Sequence, residues 1–251
     1  MSDPIVIIPA RMGSRRLPDK PLARIAGRPM VLHVLAQALA AGIGPVAVAC
    51  CDVSVYDVVT SHGGLAIMTD PDLPSGSDRV HAALEQLDPE GQHQLVINLQ
   101  GDLPAIEPAD VARSLIPLRD SGFDFDIGTL VAPLAPADAA LPSTAKAACA
   151  FRPGQTVARA LYFSRATIPW GEGPYWHHIG VYAFRRAALA RFVTLPPSPL
   201  EERETLEQLR ALEGGLAIGC VPIAKAPPEV NTAEDLARLQ TLMTDPAGST
   251  A

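Results

Sequence analysis

The sequence of 251 residues has few cysteines and none of the spacings that bind zinc. Its four cysteines include the adjacent pair Cys50 and Cys51, but no C-x-x-C motif is present. Neighbouring cysteines rarely bridge each other, so the pattern indicates neither a zinc site nor a disulfide framework. A reducing compartment, the cytoplasm, fits this composition best.

Long apolar runs are also missing. The first apolar run, from Ile5 to Ile8, is interrupted by Pro9. It is much shorter than a signal-peptide core or a membrane span of about 20 residues. We therefore expect a soluble protein with no membrane partner.

The chain has no excess of positive charge. It carries 27 acidic and 20 basic residues, with a net charge of −7, which argues against a nucleic-acid partner. Six of the basic residues nevertheless fall between Arg11 and Arg28. This local cluster indicates an anion site, although a solvated charged loop is the alternative.

The first half of the chain alternates apolar strands with helical patterns. A helix is predicted with Pro29 in its first turn, another after Asp52 as its cap, and a third over about residues 78–87. The alternation predicts an α/β fold of the doubly wound, Rossmann-like type with a mostly parallel sheet. The predicted strands lie at residues 5–8, 46–51, 65–68 and 95–102.

The pattern changes after about residue 123, where strands follow one another with little helix between them. We predict a small mixed or antiparallel extension at about 123–190 within a single domain spanning residues 1–251. One helix is predicted within residues 197–215, with Ser198 as its cap and Glu201 closing a capping box. A last helix is expected from about Thr232, followed by a frayed tail.

Two polar segments follow predicted strands at their carboxyl ends, where open α/β sheets bind ligands. The first carries Gly13, Arg11, Arg16 and Lys20, which together suit the oxygens of a triphosphate. It matches neither the G-x-x-x-x-G-K-[ST] loop nor the G-x-G-x-x-G fingerprint. The second ends in Asp102, a candidate Mg²⁺ ligand whose alternative role is to cap a turn.

Seven motifs occur in an order that resembles the 3-deoxy-manno-octulosonate cytidylyltransferases, the enzymes that make CMP-Kdo. The resemblance covers about residues 4–243 and implies the nucleotide-diphospho-sugar transferase type of fold. "ALYFSRATIPW" and "SPLEERETLEQLR" are the most specific motifs. The others are "IIPARMGSRRLPDKPL", "PSGSDRV", "QGDLP", "HHIGVYAFR" and "VNTAEDL".

The resemblance implies a nucleotide site and three catalytic residues, Arg11, Lys20 and Asp102. Lys20 would stabilise charge on the leaving pyrophosphate. For Arg79, a solvated helix face is the alternative when the residue is considered alone. The implied nucleotide-binding residues are Ala10, Arg11, Arg16, Lys20, Ser75, Gly76, Arg79 and Gln100.

The resemblance also implies a site for the acid sugar, made by Arg165, His178, Tyr182, Glu207 and Gln208. Arginine suits a carboxylate, and the polar side chains suit sugar hydroxyls. Taken alone, His178 would be a structural histidine, and the pair Glu207 and Gln208 would be exposed polar residues beside a packed leucine stripe.

One position departs from the family pattern. The family's final motif usually reads V-D-T-P-E-D-L, with its first aspartate on the metal, whereas this chain has Asn231 there. The implied cofactor is Mg²⁺, held by Asp102 and Asn231 with reduced affinity because asparagine lacks the charge. Asp235 is expected to serve the first turn of the last helix instead.

The implied activity is transfer of CMP from CTP to 3-deoxy-D-manno-octulosonate (Kdo) for lipopolysaccharide biosynthesis, with CTP and Kdo as small-molecule partners and a homodimer as the assembly. Two alternatives remain open. One is a cytidylyltransferase for a related acid sugar such as an amino-Kdo. The other is a non-catalytic nucleotide-binding protein that lost its metal site through Asn231.

Overall fold

The computed structural model describes residues 4–14, 16–119, 122 and 124–244. Their contacts divide them into two compact units. The first unit comprises residues up to 92, residues 98–108 and those from 227 onward; the second comprises residues 93–97 and 109–226. The single domain expected from the sequence stays a prediction, and Arg15 and the tail after residue 244 lie outside the described residues.

Strands form the centre of the first unit, and all but the edge strand, Leu65–Met68, are mostly buried. They are β1 (Ile5–Ala10), β4 (Val46–Cys50), β5 (Leu65–Met68) and the end of β6 (Leu95–Leu99), in the order β5-β4-β1-β6. β1 is parallel to β4, and β4 is parallel to β5. The small hairpin of β2 (Arg24–Ile25) and β3 (Arg28–Pro29) is separate from these strands. The predicted parallel arrangement is confirmed.

Helices flank these strands, as the sequence predicted. The first predicted helix begins at Met30, directly after Pro29. The helix predicted from about residue 78 begins two residues earlier, at Gly76, because the Ser75 hydroxyl accepts hydrogen bonds from two backbone N–H groups of its first turn. A 3₁₀-helix covers Lys20–Leu22. The α-helices are α1 (Met30–Ala40), α2 (Val53–Ser61), α3 (Gly76–Leu87) and, at the end of the chain, α10 (Ala233–Thr244).

Asp52 lies at the expected N-cap of α2, but its carboxylate does not bond the helix. It accepts a hydrogen bond of 3.0 Å from the backbone N–H of Met12 instead. Asp52 therefore fixes the loop that follows β1.

An apolar cluster joins that loop to the final helix within the first unit. Leu17, Ile25 and Met30 are buried together with Val230 and Leu239. The backbone N–H of Val230 also donates to the carbonyl of Asp102 at 3.0 Å. The segment that precedes α10 is thereby held beside the end of β6.

The second unit contains two long strands, Ile127–Leu134 and Tyr175–Arg185, and its strand pairing is mostly antiparallel. β11 is antiparallel to β7 with a shift of register between Ile179 and Tyr182, β12 is parallel to β7, and β8 is antiparallel to both β10 and β11. The antiparallel extension predicted after residue 123 is confirmed. The strands are β7 (Ile127–Leu134), β8 (Lys146–Ala148), β9 (Ala158–Arg159), β10 (Tyr162–Ser164), β11 (Tyr175–Arg185) and β12 (Ile218–Pro222).

The single helix predicted within residues 197–215 is wrong. The capping box of Ser198 and Glu201 is present, but the first helix ends at Glu204. The next residue, Thr205, is its C-cap and has a φ of 53°, in the left-handed region. The break changes the helical phase, so Gln208 is buried and not at the side of a leucine stripe. The remaining helices are α4 (Pro108–Arg113), α5 (Ile116–Arg119), α6 (Pro136–Ala139), α7 (Arg186–Thr194), α8 (Pro199–Glu204) and α9 (Gln208–Glu213).

Within the described part of the chain, each helix is too short or too polar to cross a bilayer. All four cysteines are free thiols.

Candidate active site

The predicted nucleotide-site residues of the first unit line one cavity of about 590 Å³. Its walls come from the loop after β1, the start of α3 and the residues after β6. The arrangement follows from the parallel strands, whose carboxyl ends meet at one edge. The lining includes Ala10, Arg11, Arg16, Lys20, Ser75, Gly76, Arg79, Gln100 and Asp102.

Arg79 is buried in the wall of this cavity, with 1% of its surface exposed. It donates to the hydroxyl of Thr69 at 2.5 Å and to the carbonyl of Asp70 at 3.1 Å. Among the described residues, its Nη2 is a buried side-chain nitrogen with no hydrogen-bond partner. The alternative of a solvated helix face is therefore wrong, and the orphan donor fits an acceptor on a bound ligand.

Gln100 is oriented by the strand that precedes it. Its Nε2 donates to the side-chain Oδ1 of Asn98 at 2.9 Å, and Nδ2 of Asn98 donates in turn to the hydroxyl of Ser77 in α3. Asn98 and Ser77 are both buried. This chain of bonds fixes the Gln100 amide at the cavity wall.

Lys20 joins the two predicted metal ligands. Its ammonium lies 3.0 Å from Oδ2 of Asp102 and 3.3 Å from Oδ1 of Asn231. The guanidinium of Arg16 also donates to Oδ1 of Asn231, at 3.1 Å. Folding thus brings together four predicted residues that are up to 215 positions apart.

The donor set fits Mg²⁺. Two oxygens, from Asp102 and Asn231, converge on a point where the structure holds the cationic group of Lys20. Among the described residues, His, Cys, Asp and Glu side chains form no group of three or more that could hold a metal ion. A cation held by these two oxygens would take its remaining ligands from phosphate oxygens and water, as Mg²⁺ commonly does.

Glu229 is a residue of this site that the sequence analysis missed. Its Oε2 accepts a hydrogen bond of 3.2 Å from Nδ2 of Asn231. Burial, and next the nearby carboxylate of Asp102, raise the pKa of Glu229 to about 7. The signal in the sequence that could have indicated its role is the position of this carboxylate, two residues before Asn231, which replaces the aspartate of the family motif.

Asp235 serves the last helix, as predicted. Its carboxylate accepts from the backbone N–H groups of Asn231 and Thr232, both at 3.0 Å, while the Thr232 hydroxyl accepts from the backbone N–H of Asp235. Burial opposes its ionisation, but these bonds lower the pKa of Asp235. It is occupied by this capping arrangement.

Three predicted sugar-site residues of the second unit form a buried hydrogen-bonded chain. The Tyr182 hydroxyl donates to Oε1 of Gln208 at 3.2 Å, and Nε2 of Gln208 donates to Nδ1 of His178 at 3.3 Å. The proton on Nε2 of His178 then points to the Thr129 hydroxyl at 3.1 Å, which donates to the carbonyl of Val181 at 2.8 Å. With the proton of His178 on Nε2, every polar group in this series of hydrogen bonds has a partner.

His178 is neutral in this environment. Burial, with a smaller contribution from His177, lowers the pKa of His178 to about 3. Both ring nitrogens are engaged by Thr129 and Gln208. His178 therefore orients Gln208 and Tyr182, and Thr129 is a supporting residue that the sequence analysis did not find.

Arg165 stabilises the turn between α8 and α9. Its guanidinium donates to the carbonyls of Pro142, Glu204 and Thr205 and to the Thr205 hydroxyl, at 2.9 to 3.3 Å. Burial opposes ionisation of Glu204, but hydrogen bonds from the Arg165 backbone and the Ser164 hydroxyl lower its pKa. The half-buried Glu207 follows this turn directly, so Arg165 helps to position both Glu207 and Gln208.

Comparison with known proteins gives a consistent family. A family model described as cytidylyltransferase matches residues 5–218. The chain is 51% identical to a 3-deoxy-manno-octulosonate cytidylyltransferase of Paramagnetospirillum magneticum over 96% of this chain and 97% of the relative. It is 52% identical to the enzyme of the same description from Rhodospirillum centenum, over 98% of this chain and 96% of the relative.

Solved structures agree. A CMP:2-keto-3-deoxy-manno-octonic acid synthetase complexed with CTP has a TM-score of 0.88 and 40% identity, covering 98% of this chain and 100% of that chain. A cytidylyltransferase from Leptospira borgpetersenii, with a TM-score of 0.64 and 15% identity over 97% of this chain and 87% of that chain, shows the shared fold. From its sequence, its fold and its cavity, the chain belongs to the cytidylyltransferase family.

Proposed function

We propose that this protein transfers CMP from CTP to Kdo, giving CMP-Kdo and pyrophosphate. The observation that carries the proposal is the convergence of Lys20, Asp102 and Asn231 in a cavity that Arg79 also lines. The relatives, at 51% to 53% identity over nearly the whole chain, carry the corresponding activity in their names. A solved relative with a TM-score of 0.88 is complexed with CTP.

The first unit would bind and orient the nucleotide. Arg11, Arg16 and Lys20 offer cationic donors to the triphosphate. Arg79 offers its unpaired Nη2, which suits a carbonyl oxygen of the cytosine ring. Released from Asp102, the ammonium of Lys20 would stabilise the charge that develops on the leaving pyrophosphate.

The chemical step forms one bond and breaks one. The anomeric hydroxyl oxygen of Kdo bonds to the α-phosphorus of CTP in line, the bond from that phosphorus to the bridging oxygen breaks and releases pyrophosphate, and the hydroxyl proton passes to solvent water. Mg²⁺, held by Asp102 and Asn231, would neutralise phosphate charge and so favour departure of pyrophosphate. The residues of the chain contribute mainly by holding the substrates in position.

The second unit would bind the acid sugar. Tyr182, Gln208 and Glu207 supply polar groups for hydroxyls, and their orientation depends on His178 and Arg165. We further propose a cytoplasmic homodimer that supplies lipopolysaccharide assembly. Light scattering on the purified chain tests the assembly.

Pyrophosphate release measured with CTP, Mg²⁺ and a panel of acid sugars tests the activity. We expect turnover with Kdo, little with an amino-Kdo, and almost none for Asp102→Asn even at high Mg²⁺, because that variant has lost the anionic ligand. Faster turnover with an amino-Kdo than with Kdo would show that the proposed substrate is wrong. No turnover with any sugar would favour a non-catalytic nucleotide-binding protein.

A further inference from the structure

We propose that Glu229 supplies the negative charge that Asn231 does not bring to the cation site at Asp102. The family motif has the second negative charge of the site at position 231. In this chain that charge is on Glu229, two residues earlier, while Asn231 still offers an oxygen. The inference rests on the proposed function, because that function needs a divalent cation beside the triphosphate.

The backbone places Glu229 at this site. Val230, between Glu229 and Asn231, is fully buried, and its N–H donates to the carbonyl of Asp102 at 3.0 Å. Val230 also packs in the apolar cluster with Leu17 and Leu239. The segment is therefore held on the residue that carries the first carboxylate.

The Asn231 amide connects the cationic groups to Glu229. Its oxygen accepts from Lys20 at 3.3 Å and from Arg16 at 3.1 Å, while its Nδ2 donates to Oε2 of Glu229 at 3.2 Å. The amide dipole thus has its negative end towards the cations and its positive end on the carboxylate. Glu229 fixes this orientation and adds its charge behind the ligand oxygen.

An aspartate at position 231 would be incompatible with this contact. Two carboxylates at 3.2 Å would repel each other, whereas a carboxylate and an amide form a hydrogen bond. An ionised Glu229 and the neutral Asn231 together carry one negative charge, as an aspartate at position 231 would carry alone. The two positions are complementary in charge.

The other nearby carboxylate does not take this role. Asp235 accepts from two backbone N–H groups at the start of α10, and its second oxygen accepts from Arg238 at 2.9 Å. With Lys20 turned to the phosphates, Asp102 and Glu229 would leave two negative charges for the divalent cation. This matches the one or two carboxylates that Mg²⁺ sites commonly use.

Binding of Mn²⁺, a paramagnetic substitute for Mg²⁺, tests the inference without turnover. Free Mn²⁺ is measured by electron paramagnetic resonance with the full chain and saturating CTP, in the absence of Kdo. Glu229→Gln keeps an oxygen for the Asn231 amide but removes the charge, so we expect Mn²⁺ affinity to fall by about tenfold. Glu90→Gln makes the same charge change at an exposed position and should bind Mn²⁺ as wild type does.

The double variant Glu229→Gln/Asn231→Asp returns the charge to its family position. We expect it to recover Mn²⁺ affinity to within about threefold of wild type, because the total charge near the ion is restored. Wild-type affinity in Glu229→Gln, or no recovery in the double variant, would overturn the inference. Absence of Mn²⁺ binding by wild type would overturn both the inference and the magnesium part of the proposed function.

Thermal unfolding without metal checks the folding of these variants. Glu229→Gln removes a half-buried carboxylate whose ionisation is opposed by burial and by Asp102, so the variant should unfold at the wild-type temperature or above. A loss of Mn²⁺ binding in a variant of undiminished stability is then due to the missing charge.

Discussion

His178→Phe should change how the stability of the protein depends on pH. The phenyl ring keeps the edge contact with Phe163, at 4.8 Å between ring centroids in the wild type, but loses both ring nitrogens. Nε2 of Gln208 is then buried without its acceptor. At pH 7 we expect a loss of about 1–3 kcal/mol in the free energy of unfolding.

The sign of the pH effect follows from the lowered pKa. The pKa of His178 falls from 6.5 to about 3 in the folded protein, chiefly because the ring is buried. Below pH 6.5 the unfolded chain binds a proton that the folded chain does not, so wild-type stability falls by up to about 1.4 kcal/mol per pH unit. Between pH 7 and pH 5 the wild type should lose about 2 kcal/mol that His178→Phe retains.

Urea unfolding at pH 7, 6 and 5, followed by tryptophan fluorescence, measures both quantities. The deficit of His178→Phe should shrink with falling pH and be close to zero near pH 5. Thr129→Val is the matched control, because it removes a hydrogen bond of the same chain and keeps the titrating ring. It should be less stable than wild type with an unchanged pH slope. Parallel pH profiles for His178→Phe and wild type would refute the buried neutral histidine.

Three further substitutions test the two predicted subsites. Lys20→Ala should lower kcat by about 10²–10³-fold, since it removes the charge that stabilises pyrophosphate, while the exposed Lys225→Ala should not; a near-normal kcat would remove Lys20 from the chemistry. Arg165→Lys should raise KM for Kdo about tenfold with KM for CTP unchanged, because lysine cannot make the three bonds that stabilise the turn at Thr205; a raised KM for CTP with an unchanged KM for Kdo would contradict this. Arg79→Met should raise KM for CTP at least about tenfold, because the buried Nη2 that could bond the nucleotide is removed, and should lower thermal stability, because the bonds to Thr69 and Asp70 are lost with it; unchanged CTP binding would show that Nη2 does not face the nucleotide.

The sequence alone predicted the parts of this protein that depend on local patterns. Apolar runs predicted the parallel strands around β1, and the break in pattern after residue 123 predicted the antiparallel strands. The capping box at Ser198 was readable because it uses residues three positions apart. The motifs also indicated the family, and with it the cavity residues from Ala10 to Asp102.

Tertiary contacts decided what local patterns did not. The helical pattern after Ser198 continues through Thr205, but three hydrogen bonds from Arg165 stabilise a left-handed break there, and Gln208 after this break is buried. The carboxylate of Asp52 makes no capping bond to its own helix, because it accepts a hydrogen bond from the N–H of Met12, 40 residues away in the sequence. In each case a distant partner outweighs a local preference.

The cation site illustrates the same division. The sequence predicted Asp102 and Asn231 as the ligands of a cation, and the missing charge at position 231 was visible in the motif. Only the fold brought the Lys20 ammonium between them and Glu229 against the amide of Asn231. The physical reason is that charge and hydrogen bonding depend on distance in space, which for these groups is set by the burial of Val230 and its bond to Asp102.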